Sequence, residues 1–110
     1  MNAYAPRRQS KRWLDGDVPR EVLAIYRDKR EPSEPYTIFY AELQGSGDGR
    51  RDSLVYIGLT ESGMYSHGEM PAYQVAEYRF RNAHRACKWT DLPAAVRKSV
   101  VQDINEENHG

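Results

Sequence analysis

Two apolar runs, separated by ten polar residues, dominate the middle of the chain. Residues 36–43 read Tyr-Thr-Ile-Phe-Tyr-Ala-Glu-Leu, and residues 54–60 read Leu-Val-Tyr-Ile-Gly-Leu-Thr. The connection, residues 44–53, holds Gly45, Gly47 and Gly49. β-Branched and aromatic side chains suit a pleated, half-buried surface, and glycine-rich polar stretches suit a connection. The pattern predicts a β-hairpin with a long loop, and the other segments read as elements that cover or extend it.

Upstream, residues 22–26 (Val-Leu-Ala-Ile-Tyr) form a short apolar run, long enough for a strand and too short for a convincing helix. The charged stretch 27–35, with Pro32 and Pro35, predicts a second hairpin connection. Successive side chains on a strand point to opposite faces. Taken strand by strand, strict alternation gathers Leu23, Ile25, Phe39, Ala41, Leu43, Val55, Ile57 and Leu59 on an aliphatic core face. The opposite face then gathers Tyr26, Tyr36, Tyr40 and Tyr56, apolar rings with hydroxyl rims.

Residues 61–71, with Gly63, Gly68 and Pro71, read as an ordered loop. From Pro71, placed at the first helical position, Ala72, Ala76, Phe80 and Ala83 recur at helical spacing with Val75 beside them, which predicts a second short helix. Residues 85–89 suit a short fourth strand. Thr90 or Asp91 then starts the clearest helix, with Pro93 in its first turn. Its stripe is Leu92, Val96, Val100 and Ile104, widened by Val101, with Arg97, Lys98, Gln102 and Asp103 away from the centre. The fold class is therefore α+β: a small antiparallel sheet of three or four strands, with the C-terminal helix packed on one face.

At 110 residues the chain suits one domain. Residues 1–14 read as a basic flexible arm carrying Arg7, Arg8, Lys11 and Arg12 and no acid, pinned at its end by Trp13 and Leu14. Residues 15–107 form the domain and residues 108–110 a frayed tail. Lys plus Arg equals Asp plus Glu, at 16 each, a balance that argues against a generic nucleic-acid binder. A single cysteine, Cys87, rules out an internal disulfide and suits a reducing cytoplasm. No apolar run approaches the ~20 residues of a membrane span, and no apolar run follows the basic N-terminus as a secretory signal requires.

The order of pieces resembles a group of small accessory proteins of actinobacterial phages. They share a Pro-x-x-Val-Leu-Ala-Ile-Tyr-like start (Pro19 to Tyr26) and a Tyr-Thr-Ile/Val strand (Tyr36 to Ile38). An aromatic-x-Gly strand with a Gly- and His-bearing loop follows (Tyr56 to Gly68), then a Leu-Pro step into a helix (Lys88 to Ile104). The similarity covers most of residues 19–107. The group often has a proline-rich loop after the third strand, where this chain has Ser62-Gly63-Met64-Tyr65. The resemblance implies a phage accessory product in a bacterial cytoplasm and carries over no catalytic residue.

No catalytic set assembles from the residues. Tyr56-Ile57-Gly58 invites comparison with GIY-YIG nucleases, but the preceding strand reads Ile38-Phe39-Tyr40 without the glycine, and short motifs match by chance. His67, His84 and Cys87 fall one ligand short of a closed zinc site, with Glu69 a strained fourth. Cys87 beside His84 suits a small core residue better than a nucleophile. The 45–49 glycine run lacks the Lys-Ser/Thr and helix of a phosphate loop. The sequence thus points to no cofactor and no metal. It reads as a non-enzymatic protein that binds a host or phage protein, or a second copy of itself, through Tyr26, Tyr36, Tyr40 and Tyr56, since tyrosine is enriched at interfaces. The alternative is a nucleic-acid-binding module using Arg7, Arg8, Lys11 and Arg12 with Arg79, Arg81 and Arg85 of the 79–88 basic cluster.

Overall fold

In the computed structural model, residues 18–44 and 53–107 are described. The basic arm, Trp13, Leu14, the 45–49 glycine run, the 108–110 tail and the side chain of Leu43 lie outside the described residues. Four strands form one antiparallel sheet in sequence order: β1 (Val22–Arg27), β2 (Tyr36–Gln44), β3 (Ser53–Leu59) and β4 (Tyr65–Pro71). Helix α1 (Ala72–Arg81) follows β4 directly, and α2 (Ala94–Glu107) ends the fold. The expected α+β class, with an antiparallel sheet and a C-terminal helix on one face, is what forms.

Three expectations about elements are corrected. Of residues 61–71, expected as a loop, only 61–64 form a turn, and 65–71 are β4, which pairs with β3 from Ser53↔Pro71 to Leu59↔Tyr65. Residues 85–89 do not form the fourth strand. Ala86 makes only an isolated bridge to Tyr26, flanked by short 3-10 turns at Ala83–Arg85 and Trp89–Asp91. The last helix begins at Ala94, after Pro93 rather than at Thr90 or Asp91. Asp91 instead accepts a hydrogen bond from the Lys88 backbone N–H at 3.2 Å, closing the second of those turns.

The sheet is buried on both sides. One face carries Val22, Ile25, Tyr36, Ile38, Tyr40, Ile57 and Leu59, packed against Trp89, Leu92 and the α2 stripe Val96, Val100 and Ile104. The other carries Leu23, Ala24, Tyr26, Phe39 and Leu54, packed against Val75 and Tyr78 of α1. The core stripe of α2 is the expected one, except that Val101 is 42% exposed and Asp103, expected away from the centre, is buried.

Strict alternation assigned the faces wrongly, for two reasons. Residues directly opposite each other in a ladder share a face, and β2 pairs with β3 through Tyr36↔Leu59, Ile38↔Ile57 and Phe39↔Tyr56. Ile57 and Leu59 therefore lie with Tyr36 and Ile38, not with Phe39. In β1 the register moves from Val22↔Tyr40 to Ala24↔Phe39, so Leu23 is the extra residue of a β-bulge. A bulge turns two successive side chains toward one side, and Leu23 and Ala24 both join the α1 face.

The β3–β4 turn is anchored on α2. Gly63 has φ +92°, a left-handed conformation that costs glycine little and other residues more. A Cβ there would lie 2.6 Å from the Ala95 carbonyl oxygen. Ser99 of α2 donates its hydroxyl to the Gly63 carbonyl at 2.6 Å.

Candidate functional site

The four tyrosines do not make a surface. Tyr36 and Tyr40 are buried beneath α2, whereas Tyr26 is buried and Tyr56 half-buried on the α1 side. The expected single aromatic face is thereby corrected, since the ladder register and the bulge divide the rings between two covered faces. Each ring has an internal use. Tyr26 stands edge-on to Phe39 at 6.0 Å and to Tyr78 at 5.3 Å, and Phe39 meets Tyr78 at 5.1 Å and Tyr56 at 5.4 Å between centroids. Edge-on and tilted pairs of this kind each add about 0.5–1.5 kcal/mol beyond area burial, so the cluster keys α1 onto the sheet. Tyr56 lies across Gly68, its β4 partner, where an added Cβ would run into the ring. On the other side, the Tyr36 hydroxyl donates to Glu61 at 3.1 Å, and burial raises its pKa.

Tyr40 donates its hydroxyl to Asp103 Oδ2 at 2.8 Å, and His67 Nε2 lies 2.6 Å from Asp103 Oδ1. Asp103 is only 1% exposed. This network ties the last helix to β2 and β4 and satisfies a buried carboxylate, which an apolar core requires. No sequence signal marks it, because the partners lie 63 and 36 residues away.

The basic cluster at 79–88 also divides. Arg79 sits near Tyr26, where its charge opposes the rise that burial gives the Tyr26 pKa, Arg81 pairs with Glu77 at 2.7 Å, and Arg85 reaches Asn82 at 2.6 Å and Asp28 at 3.5 Å. The three arginines expected as one patch thus serve three different neighbours. Among the described residues no three His, Cys, Asp or Glu side chains converge on a point that could hold a metal ion. Burial and the nearby Asp91 push the Cys87 thiol up to about 12, so it is not a thiolate nucleophile at neutral pH.

What is exposed instead is the outer side of α1. Its buried positions are Ala72 and Val75, so the helix is turned roughly a quarter-turn from the stripe the sequence suggested. Phe80 is 85% exposed and Tyr73 57% exposed, with exposed Ala76 between them. Beside this stripe lies a groove of about 410 Å³ lined by Met70, Tyr73, Glu77, Tyr78 and Arg81, among others. No family model, curated protein or solved structure matches the chain. Among the described residues no helix is long and apolar enough to cross a membrane.

Proposed function

We propose that this is a non-enzymatic interaction protein that binds a protein partner through the outer side of α1. The observation that carries the reading is the exposure of Phe80 on the same helix face as Tyr73 and Ala76. Burying a phenylalanine side chain is worth about 1.5–3 kcal/mol, a gain this chain forgoes at position 80. Aromatic residues next to a groove are the usual anchors of interfaces, and apolar side chains grouped on one rim mark such sites. The role expected of Tyr26, Tyr36, Tyr40 and Tyr56 passes to a helix face of which the sequence marked only Ala76 and Phe80, as part of an apolar stripe. The resemblance to actinobacterial phage accessory proteins makes a host or phage protein the partner to seek, in the bacterial cytoplasm.

The test is capture from an actinobacterial lysate with the wild-type chain, Phe80→Ser and a Tyr73→Ser/Phe80→Ser double variant. Both positions are exposed, so the variants should melt like wild type while the captured partner is lost. Undiminished capture by the double variant would refute the surface.

A further inference from the structure

We propose that the cleft between the β1–β2 turn and the 84–91 segment binds a small anionic ligand carrying more than one phosphate group. This site is separate from the α1 surface.

Both walls of the cleft are fixed to β1. In the turn, the Asp28 N–H donates to the Pro35 carbonyl at 2.8 Å and the Glu31 N–H to the Asp28 carbonyl at 3.1 Å. Asp28 Oδ1 accepts from the Arg30 N–H at 3.0 Å. This local bonding is how aspartate orders a turn. In the opposite wall the Cys87 N–H donates to the Ile25 carbonyl at 3.1 Å, next to the Tyr26↔Ala86 bridge. The space between them is about 700 Å³, within the ~300–1,000 Å³ of small-molecule sites.

The lining is rich in donors and short of acceptors. Arg27, Lys29, Arg30 and Arg85 supply four fixed cations, with His84 beside them, against Asp28 and Asp91. Asp28 is shared between Arg30 at 3.8 Å and Arg85 at 3.5 Å, both longer than the roughly 2.7–2.9 Å of a charge-assisted hydrogen bond. Asp91 is turned to the Lys88 N–H. The Arg27 Nη2 lies 3.8 Å from Glu61, and its buried Nε has no hydrogen-bond partner among the described residues. Lys29 and His84 are exposed and pair with no acid among the described residues.

Such a surplus calls for an acceptor-only ligand with several oxygens, and guanidinium forks match phosphate in geometry as well as charge. The absence of a stacking platform selects a small molecule over a nucleic-acid strand. Among the described residues no Phe, Tyr or Trp side chain lines the cleft, and strand binding relies on base stacking. Recognition is non-covalent, because the Cys87 thiol at the cleft wall stays protonated.

Calorimetric titration of the full chain with inorganic pyrophosphate and with ATP tests the proposal, alongside a short oligo(dT) at physiological salt. Both phosphate compounds should bind saturably and shift the backbone amide resonances of residues 27–30 and 84–88. The exposed Lys29→Ala/Arg30→Ala double variant, and separately Arg85→Gln, should each bind pyrophosphate at least roughly tenfold more weakly. Lys98→Ala, exposed on α2, should bind as wild type. The proposal is overturned if neither compound binds at millimolar concentration, if the double variant melts and binds like wild type, or if oligo(dT) binds and pyrophosphate cannot displace it.

Discussion

Removing the Tyr40 hydroxyl is the sharpest probe of how α2 is held. Tyr40 is fully buried and donates to Asp103 at 2.8 Å. A hydrogen bond to a charged group contributes about 1.5–3 kcal/mol, and a buried polar group that loses its partner costs a further penalty of about 1–3 kcal/mol. Tyr40→Phe should therefore destabilise the domain by about 1.5–3 kcal/mol. Asp103→Ala should cost more, since it removes the acceptor of both Tyr40 and His67 and leaves a small void. The double variant should cost less than the sum, with a coupling energy of at least about 1.5 kcal/mol, because once one partner is gone the other has less to lose. His67→Ala should cost under about 1 kcal/mol, because a contact made by a side chain 44% exposed is screened by solvent. Urea unfolding read by circular dichroism, extrapolated linearly to water, measures all four changes. A coupling energy below about 0.5 kcal/mol would show that Tyr40 and Asp103 act independently, and the proposed tie between sheet and helix would fail.

Two further outcomes are expected. Gly63→Ala should lower stability by at least about 1–2 kcal/mol, from the left-handed backbone alone, and by more if the Ala95 carbonyl cannot move away. For a domain this size that is a fall in melting temperature of roughly 4 °C or more, and an unchanged melting temperature would show that the turn is free of α2. Alkylation of Cys87 by iodoacetamide should be slow at pH 8 and rise about tenfold per pH unit with no plateau before about 12. Because the folded pKa is raised above the ordinary thiol value, the unfolded chain loses this proton first. The thiol's contribution to stability is whole below that value and declines as pH rises toward 12. A plateau near pH 9 would place the thiol in solvent.

Three strands and α2 were legible because their side chains announce them: β-branched and aromatic runs for β1 to β3, and Leu92, Val96, Val100 and Ile104 at helical spacing. β4 was not, because Ser66, His67, Gly68 and Glu69 carry no apolar alternation. It is a strand through its ladder with β3 and the seat that Gly68 makes for Tyr56. In α1, Ala76 and Phe80 belong to the apolar stripe, but the aromatic cluster around Phe39 takes Tyr78 instead and Phe80 is left exposed. The face assignment failed on the β2–β3 register, which sets Ile57 opposite Ile38 and Tyr56 opposite Phe39, and on one inserted residue, Leu23; no periodicity count can detect either. The basic cleft was illegible because its walls, at 27–30 and 84–91, are distant in sequence and meet only where Ala86 and Cys87 run beside β1.

The irregularity at Leu23 also limits how β1 can sit. A uniform strand can slide two positions along its neighbour and still keep oily side chains pointing the same way. Here a slide of that kind would carry the kink past Phe39 and Tyr40 and spoil the fit on both layers at once. The kink works like a notch cut in a key, leaving β1 a single alignment in which it can lock.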